Sequence, residues 1–280
     1  GIDPASEKYA SFYQKDILRS SEFFSSESYK KLTGSKKAKI ITSISMFYDL
    51  EEPVLFAREV ADILDHEGVW ECEQSYLLAM LEANSYDTIC HEHLEYYSLS
   101  VIDYICNKSN LKIIEVDFNQ INGGTFTLKI VHKNSNFKVD PKVNFILQKE
   151  KLYFSSAEII LKNFRDLVEL NRDQVNSYFY EANKLGKLVG GLGASTKGNV
   201  LLQYCGISTK EIPWIFDVNP DKYGKQTPGS KIPIVPETKI FEYNPDELFV
   251  LPWHFKDFFL KLKKLKNYKL TFPLPVLHTE

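Results

Sequence analysis

Apolar and polar positions along the chain follow two periods in turn. Residues 39–47 hold Ile40, Ile41 and Ile44 in a short β-branched cluster that predicts a strand. Glu52-Pro53 then opens a helix, with Leu55, Phe56, Val60, Ile63 and Leu64 at helical spacing. Residues 68–76 predict the next strand and loop. Residues 110–117 and 125–132 are two apolar runs on either side of Asn122-Gly123-Gly124, a turn composition that predicts an antiparallel pair. The polar stretch 133–148, with Asp140-Pro141 inside it, predicts a linker. Ser155-Ser-Ala-Glu158 has the form of a capping box. It opens a long helix with Ile160, Phe164, Leu167, Val168, Val175, Phe179 and Leu185 on one face and a break expected near Asn171. Residues 187–199 predict a strand, a glycine turn and a helix start. Strands follow at 212–217, 247–253 and 269–275, with an amphipathic helix at 256–265 between the last two. Strands alternating with helices predict an α/β fold with parallel layers, divided into residues 1–140 and a second domain, 141–280.

Composition narrows the classes of function. The 280 residues carry 34 Lys and Arg against 37 Asp and Glu, a net charge of −3, and 44% of them are hydrophobic. Such a chain buries a core without disulfides or metal. It has no field of one sign with which to hold a nucleic-acid backbone, and the lysines at 256–269 are interleaved with apolar residues. Cys72, Cys90, Cys106 and Cys205 form no framework and are expected to be reduced thiols in a cytosolic protein. No apolar run approaches the roughly 18 residues that span a membrane. The only methionines are Met46 and Met80. Gly1-Ile2-Asp3-Pro4 reads as the end of a strand entering a turn, so an amino-terminal part is expected to precede it.

Three clusters can carry chemistry. In Cys90-His91-Glu92-His93, two imidazoles flank a carboxylate, which suits proton transfer near neutral pH. A zinc site fits less well, because the spacing lacks the i, i+4 pair of a zincin helix and no third ligand stands nearby. The same residues can instead cap and pack a helix amino terminus. In the run from Gly190 to Asn199, Gly193, Ser195, Thr196 and Lys197 turn a strand into a helix; backbone N–H groups and an ammonium there suit a phosphate. The run is not a Walker motif and matches G-x-G-x-x-G only loosely, so a plain tight connection is the other reading. Asp217-Val218-Asn219-Pro220 follows a strand, where a carboxylate can hold sugar hydroxyls or simply form a turn. Asp3 has the same ambiguity. His254, beside Trp253, is a lesser pocket candidate, whereas His66, His132 and His278 have no evident partners.

The order of these pieces resembles the C-methyltransferases that act on nucleotide-linked keto sugars. The matching segments are Gly1-Ile-Asp-Pro4, Ser43-Ile-Ser-Met-Phe-Tyr-Asp-Leu-Glu-Glu-Pro53, Glu73-Gln-Ser-Tyr-Leu77, His91-Glu-His-Leu-Glu-Tyr-Tyr97, Asn122-Gly-Gly-Thr125, Gly193-Ala-Ser-Thr-Lys-Gly-Asn199, Asp217-Val-Asn-Pro220, Lys225-x-x-Pro-Gly229, Pro252-Trp-His-Phe255 and Phe272-Pro-Leu-Pro275. The resemblance implies a partial Rossmann-like domain for S-adenosylmethionine followed by a second, smaller Rossmann-like α/β domain. The zinc cysteines and the first glycine-rich loop of such proteins are not in this chain, and Cys90 stands where a tyrosine is common. The resemblance also implies that Asp3 contacts the cofactor ribose and that Ser43, Ser45 and Met46 line the same cleft. His93 would be the base that forms an enolate, with Glu92 orienting it or the sugar. His91, Asn122, Gly123, Gly193, Ser195, Thr196, Lys197, Asp217 and Asn219 would hold the sugar nucleotide. Two other functions are compatible with the residues: a nicotinamide-dependent oxidoreductase using the 190–199 turn, and a sugar-nucleotide-binding module without activity of its own.

Overall fold

A computed structural model describes all 280 residues. By packing, the chain forms two units that interleave in sequence. The first comprises Gly1–Leu77, Leu94–Asn119 and Gly124–Ser155; the second comprises Leu78–His93, Gln120–Gly123 and Ser156–Glu280. The sequence places one division at 140/141, whereas packing divides the chain after residue 155 and gives the second unit two excursions from the first half.

In the first unit, helix α1 (Ser26–Thr33) starts at a capping box of Ser25 and Ser28 and ends at Gly34, in the left-handed region at φ 63°. Strand β1 (Ala38–Ile44) connects through α2 (Pro53–Ile63) to β2 (Leu64–Ser75), which runs parallel to it. Short α3 (Leu77–Glu82) leads out of the unit, and α4 (Leu99–Lys108) follows on re-entry. Strands β3 (Leu111–Asn119) and β4 (Thr125–His132) form the expected antiparallel pair. The sheet order is β1-β2-β4-β3, and β4 is antiparallel to β2, so this layer is mixed rather than parallel throughout. Phe126, Leu128 and Ile130 on β4 are 0% exposed. Burial of each such side chain stabilises the fold by about 2 kcal/mol.

The expected linker at 133–148 is overturned in its second half. Asp140 caps α5 (Pro141–Tyr153), its side chain accepting from Lys142 N, and Pro141 occupies the first turn, where its missing N–H has no helical partner to lose. Only Val143 and Glu150 of this helix are buried, so its sequence is polar enough to mimic a loop. Glu150 is a fully buried carboxylate that accepts from Tyr76 OH at 2.9 Å, Leu99 N at 2.8 Å and Ser100 N at 2.8 Å, and so caps α4 from a distance.

In the second unit, α6 (Ala157–Lys184) runs unbroken for 28 residues. Neither the break at Asn171 nor the capping box forms. Asn171 points inward, donating to Pro273 O at 2.7 Å and accepting from Tyr86 OH at 2.9 Å, and thereby satisfies a polar group in mid-helix. Ser156 makes no capping bond, and Ser155 donates to Leu152 O instead. The chain continues through β5 (Val189–Leu192), α7 (Thr196–Tyr204), β6 (Ile215–Asp217), β7 (Ile234–Pro236), α8 (Ile240–Tyr243), β8 (Glu247–Val250), α9 (Lys256–Lys261), β9 (Lys269–Phe272) and β10 (His278–Thr279). The helix expected over 256–265 ends at Lys261 because Leu262 is extended, and one 3-10 turn follows.

The sheet order is β10-β9-β8-β5-β6-β7, parallel except for β10. Numbered among themselves, the five parallel strands run 5-4-1-2-3, the Rossmann order, which reverses between β5 and β8. Such a reversal opens a crevice beyond the carboxyl ends of those two strands. Gly190 and Gly191 lie inside β5 because a Cβ on them would come within 2.6 Å of the Phe216 ring and 2.7 Å of Ile215.

Candidate active site

Both excursions of the second unit pack against the segments that follow β5 and β8. Residues 86–88 form a 3-10 turn against α7, and residues 121–123 pack against the turn 253–255 after β8. The Cys90-His91-Glu92-His93 segment leaves the first of these turns. No helix begins there; the next one starts at Leu99, capped by Ser98. The capping alternative for these residues is therefore wrong, because the chain turns at 91–92 and stays non-helical to residue 98.

His93 is half-buried, and its Nδ1 lies 2.8 Å from Thr88 O. A carbonyl can only accept, so Nδ1 carries the hydrogen and Nε2 is the basic atom of the ring. Glu92 and His91 are exposed on the turn.

Asp87, which sequence reasoning missed, anchors this loop. It is 1% exposed; Oδ2 accepts from Trp253 Nε1 at 2.7 Å and Oδ1 from Ser85 Oγ at 2.9 Å. Burial pushes its carboxyl above the usual range, opposed by the Lys197 ammonium and by the Trp253 and Ser85 donors. Lys197, in the first turn of α7, donates to Asn122 O at 2.7 Å. Burial lowers its ammonium, opposed by attraction to Asp87 and Cys90. Burial and the nearby Lys197 charge hold the His254 ring down at about 4, so it is neutral near pH 7. Its Nδ1 is buried without a hydrogen-bond partner. The signal available in the sequence was Tyr86-Asp87-Thr88, a carboxylate three positions before Cys90, but nothing local shows that a tryptophan 166 residues away will bind it.

The glycine turn is built for close packing. Gly193 has φ 82°, and a Cβ there would meet Pro252 at 2.7 Å. Ser195 caps α7 by accepting from Gly198 N at 3.0 Å. Thr196 is exposed on its first residue, and Gly123 packs near Ser85 and Trp253. Asp217 is buried at the end of β6, and both its oxygens are engaged. Oδ2 accepts from Ala194 N at 2.7 Å and Lys222 Nζ at 3.2 Å, and Oδ1 from Asn219 N at 2.7 Å. Asn219 accepts in turn from Asp221 N at 3.0 Å. These two residues brace the turn.

The remaining expected residues belong to the first unit. Asp3, Ser43 and Met46 line a cavity of about 610 Å³ together with Phe23 and Phe24. Ser45 does not line it; at φ 52° its N–H donates to Glu73 O at 2.8 Å and turns the chain after β1. The Ser43 hydroxyl accepts from Trp70 Nε1 at 2.9 Å, and Asp3 Oδ1 accepts from Ala5 N at 2.6 Å. Asp3, Asp49, Glu52 and Glu59 contribute four carboxylates to the lining, and no Lys or Arg lies on it. A cationic ligand with sugar hydroxyls and an aromatic ring fits these groups.

Fold and site together define a Rossmann-type α/β protein with a cluster of titratable side chains at its strand-order reversal. The C-methyltransferase C-terminal domain family matches residues 120–275, more than half of the sequence, and the chain belongs to the C-methyltransferase family. It is 30% identical over 196 residues to C-methyltransferase NovU of Streptomyces niveus, a match covering 70% of this chain and 47% of that protein. The chain thus spans about half the length of the curated relative it matches. Among solved structures, LepI in complex with SAM aligns at a TM-score of 0.30 and 9% identity over 35% of this chain and 27% of that one. A complex of a Haloferax volcanii methyltransferase activator with its methyltransferase aligns at 0.36 and 14% identity over 47% and 71%.

Proposed function

We propose that this chain takes part in transferring a methyl group from S-adenosylmethionine to the carbon next to the ketone of a nucleotide-linked sugar. The observation that carries this reading is the orientation of His93: Nδ1–H bound to Thr88 O leaves Nε2 as the base. Family membership supports methyl transfer to carbon. S-adenosylmethionine supplies, when bound, an electrophilic methyl on a sulfonium. Asp3 would accept from its ribose hydroxyls, Phe23 and Phe24 would flank the adenine, and the carboxylates of the cavity would offset its positive charge.

His93 Nε2 removes the proton from the carbon beside the carbonyl. The C–H electron pair forms a carbon–carbon double bond, and the carbonyl pair moves onto oxygen as an enolate. With the cofactor bound, that carbon would take the methyl as the S–CH3 bond breaks and its electron pair goes to sulfur, leaving S-adenosylhomocysteine; the carbonyl re-forms, and the proton stays on His93 until solvent removes it. Positioned base catalysis of this kind contributes about 10²–10⁴-fold. Ser195, Thr196, Asn122 and Gly123 would hold the sugar nucleotide. A nicotinamide-dependent reading has less support, since Asp217, the acid that would hold a ribose in this fold, is occupied by Ala194 N, Asn219 N and Lys222.

His93→Ala is expected to lower methyl transfer by about 10²–10⁴-fold while sugar-nucleotide binding persists. Undiminished turnover would remove His93 from the mechanism. Calorimetric titration with S-adenosylhomocysteine tests the cofactor half separately.

A further inference from the structure

Lys197 lies in the first turn of α7, the helix packed against the 86–88 turn whose Thr88 carbonyl orients His93. It is held against Asn122 O at 2.7 Å, between groups of three segments: Asp87 and Cys90 on the loop that carries His93, and His254 after β8. Three features are unlike a phosphate cradle. The turn around it has spent N–H groups a phosphate would use, with Ala194 N bound to Asp217 and Gly198 N to Ser195. The lysine next in reach of the turn, Lys222, is bound to Ala194 O and Asp217. The buried carboxylate of Asp87 compensates Lys197, and His254 adds no charge near neutral pH. A dianionic phosphate on Lys197 would be repelled by the Asp87 carboxylate, whereas one transient negative charge matches one compensated ammonium.

We propose that Lys197, held by Asn122 O, is a catalytic residue that donates a hydrogen bond to the enolate oxygen, and that Asp87 is the positioning residue whose carboxylate attracts that ammonium. The proposal rests on the keto-sugar reading above. The base and the oxyanion donor then meet one short loop, since Thr88 orients His93 while Asp87, one residue earlier, accepts from Trp253 and attracts the Lys197 ammonium without bonding to it. Within a burial that weakens competition from water, a fixed ammonium stabilises the developing oxyanion more than it could in solvent.

The test uses the full chain and solvent hydrogen exchange, which needs no methyl donor. A panel of thymidine-, uridine-, guanosine- and cytidine-diphosphate-linked keto deoxy sugars is incubated in D₂O, and deuterium at the carbon beside the ketone is followed by NMR. Lys197→Met is expected to slow exchange at saturating substrate by about 10²–10³-fold, with the affinity for inorganic pyrophosphate changed less than about 3-fold. Lys197→Arg, which keeps the charge, should recover at least a tenth of the wild-type rate. Asp87→Asn should move the alkaline limb of the exchange profile to lower pH, because Lys197 loses its countercharge; loss of fold alone would not shift that limb. Should Asp87→Asn not fold, the Met and Arg pair still decides. Exchange undiminished in Lys197→Met, or pyrophosphate affinity lost tenfold with exchange intact, overturns the proposal. Wild type that exchanges nothing across the panel overturns the keto-sugar reading itself, and the role of Lys197 with it.

Discussion

Replacing Trp253 with Phe isolates the bond that ties the His93 loop to the Rossmann-ordered sheet. The substitution keeps an aromatic ring and deletes the Nε1–H that reaches Asp87 Oδ2 at 2.7 Å. Asp87 retains Ser85 Oγ at 2.9 Å but is 1% exposed, so water cannot replace the lost donor. A hydrogen bond to a buried charged group contributes about 1.5–3 kcal/mol, and the smaller ring leaves a void costing about 1 kcal/mol. The expected loss is therefore about 2–4 kcal/mol at pH 8. The sign of its pH dependence follows from which form of Asp87 the indole favours. Trp253 stabilises the carboxylate, so its removal raises the carboxyl further above its ordinary value. The penalty should be full where Asp87 is ionised and shrink toward the packing contribution as pH falls and the group protonates in both proteins. Urea unfolding followed by far-UV circular dichroism at pH 8 and pH 5 measures both values. Combining the change with Asp87→Asn gives the coupling directly. A loss below about 0.5 kcal/mol at pH 8, or a coupling energy indistinguishable from zero, would refute the assigned geometry.

Three further outcomes are expected. His254 titrates at about 4 in the fold against 6.5 unperturbed, so the unfolded chain takes up a proton first and stability falls as pH drops from 6.5 toward 4. The full shift corresponds to roughly 3 kcal/mol; His254→Gln should flatten that slope in acid-titration unfolding, and an unchanged slope would assign it elsewhere. Glu150→Gln replaces an acceptor facing N–H donors with an amide and should cost about 2–3 kcal/mol, read as a lowered unfolding midpoint; an unchanged midpoint would mean that the α4 cap is not formed by this side chain. Gly193→Ala sets a Cβ at 2.7 Å from Pro252 and forces φ 82° on an L residue. It should destabilise by at least about 1–2 kcal/mol and reduce exchange activity; a variant as stable as wild type would contradict the tight turn.

Local pattern was sufficient for most elements. The runs at 39–47 and 125–132, the helix opened by Pro53, and the strand-turn-helix at 187–199 are all visible because β-branched runs, a proline in the first helical turn and glycines at a turn are local signals, which hold even in β1, where Ile40 and Ile44 stay exposed. The pattern failed where a distant partner changed the meaning of a polar residue. Asn171 signals a helix break in isolation but is satisfied by Tyr86 and Pro273. The stretch after Asp140 resembles a linker because α5 buries only two of its side chains.

The candidate chemistry divides in the same way. By itself the sequence determined that a His-Glu-His segment, a glycine turn with a lysine, and an Asp-x-Asn-Pro strand end occur in this order, since residue identity and spacing are local properties. Only the tertiary structure decided that Thr88 selects the His93 tautomer, that Asp217 braces the glycine turn, and that the buried Asp87 and Trp253 and the half-buried Lys197 and His254 lie close enough to shift one another's charge. The physical reason is that the state of a buried charge depends on the groups around it in space, and those come from segments up to 166 residues apart.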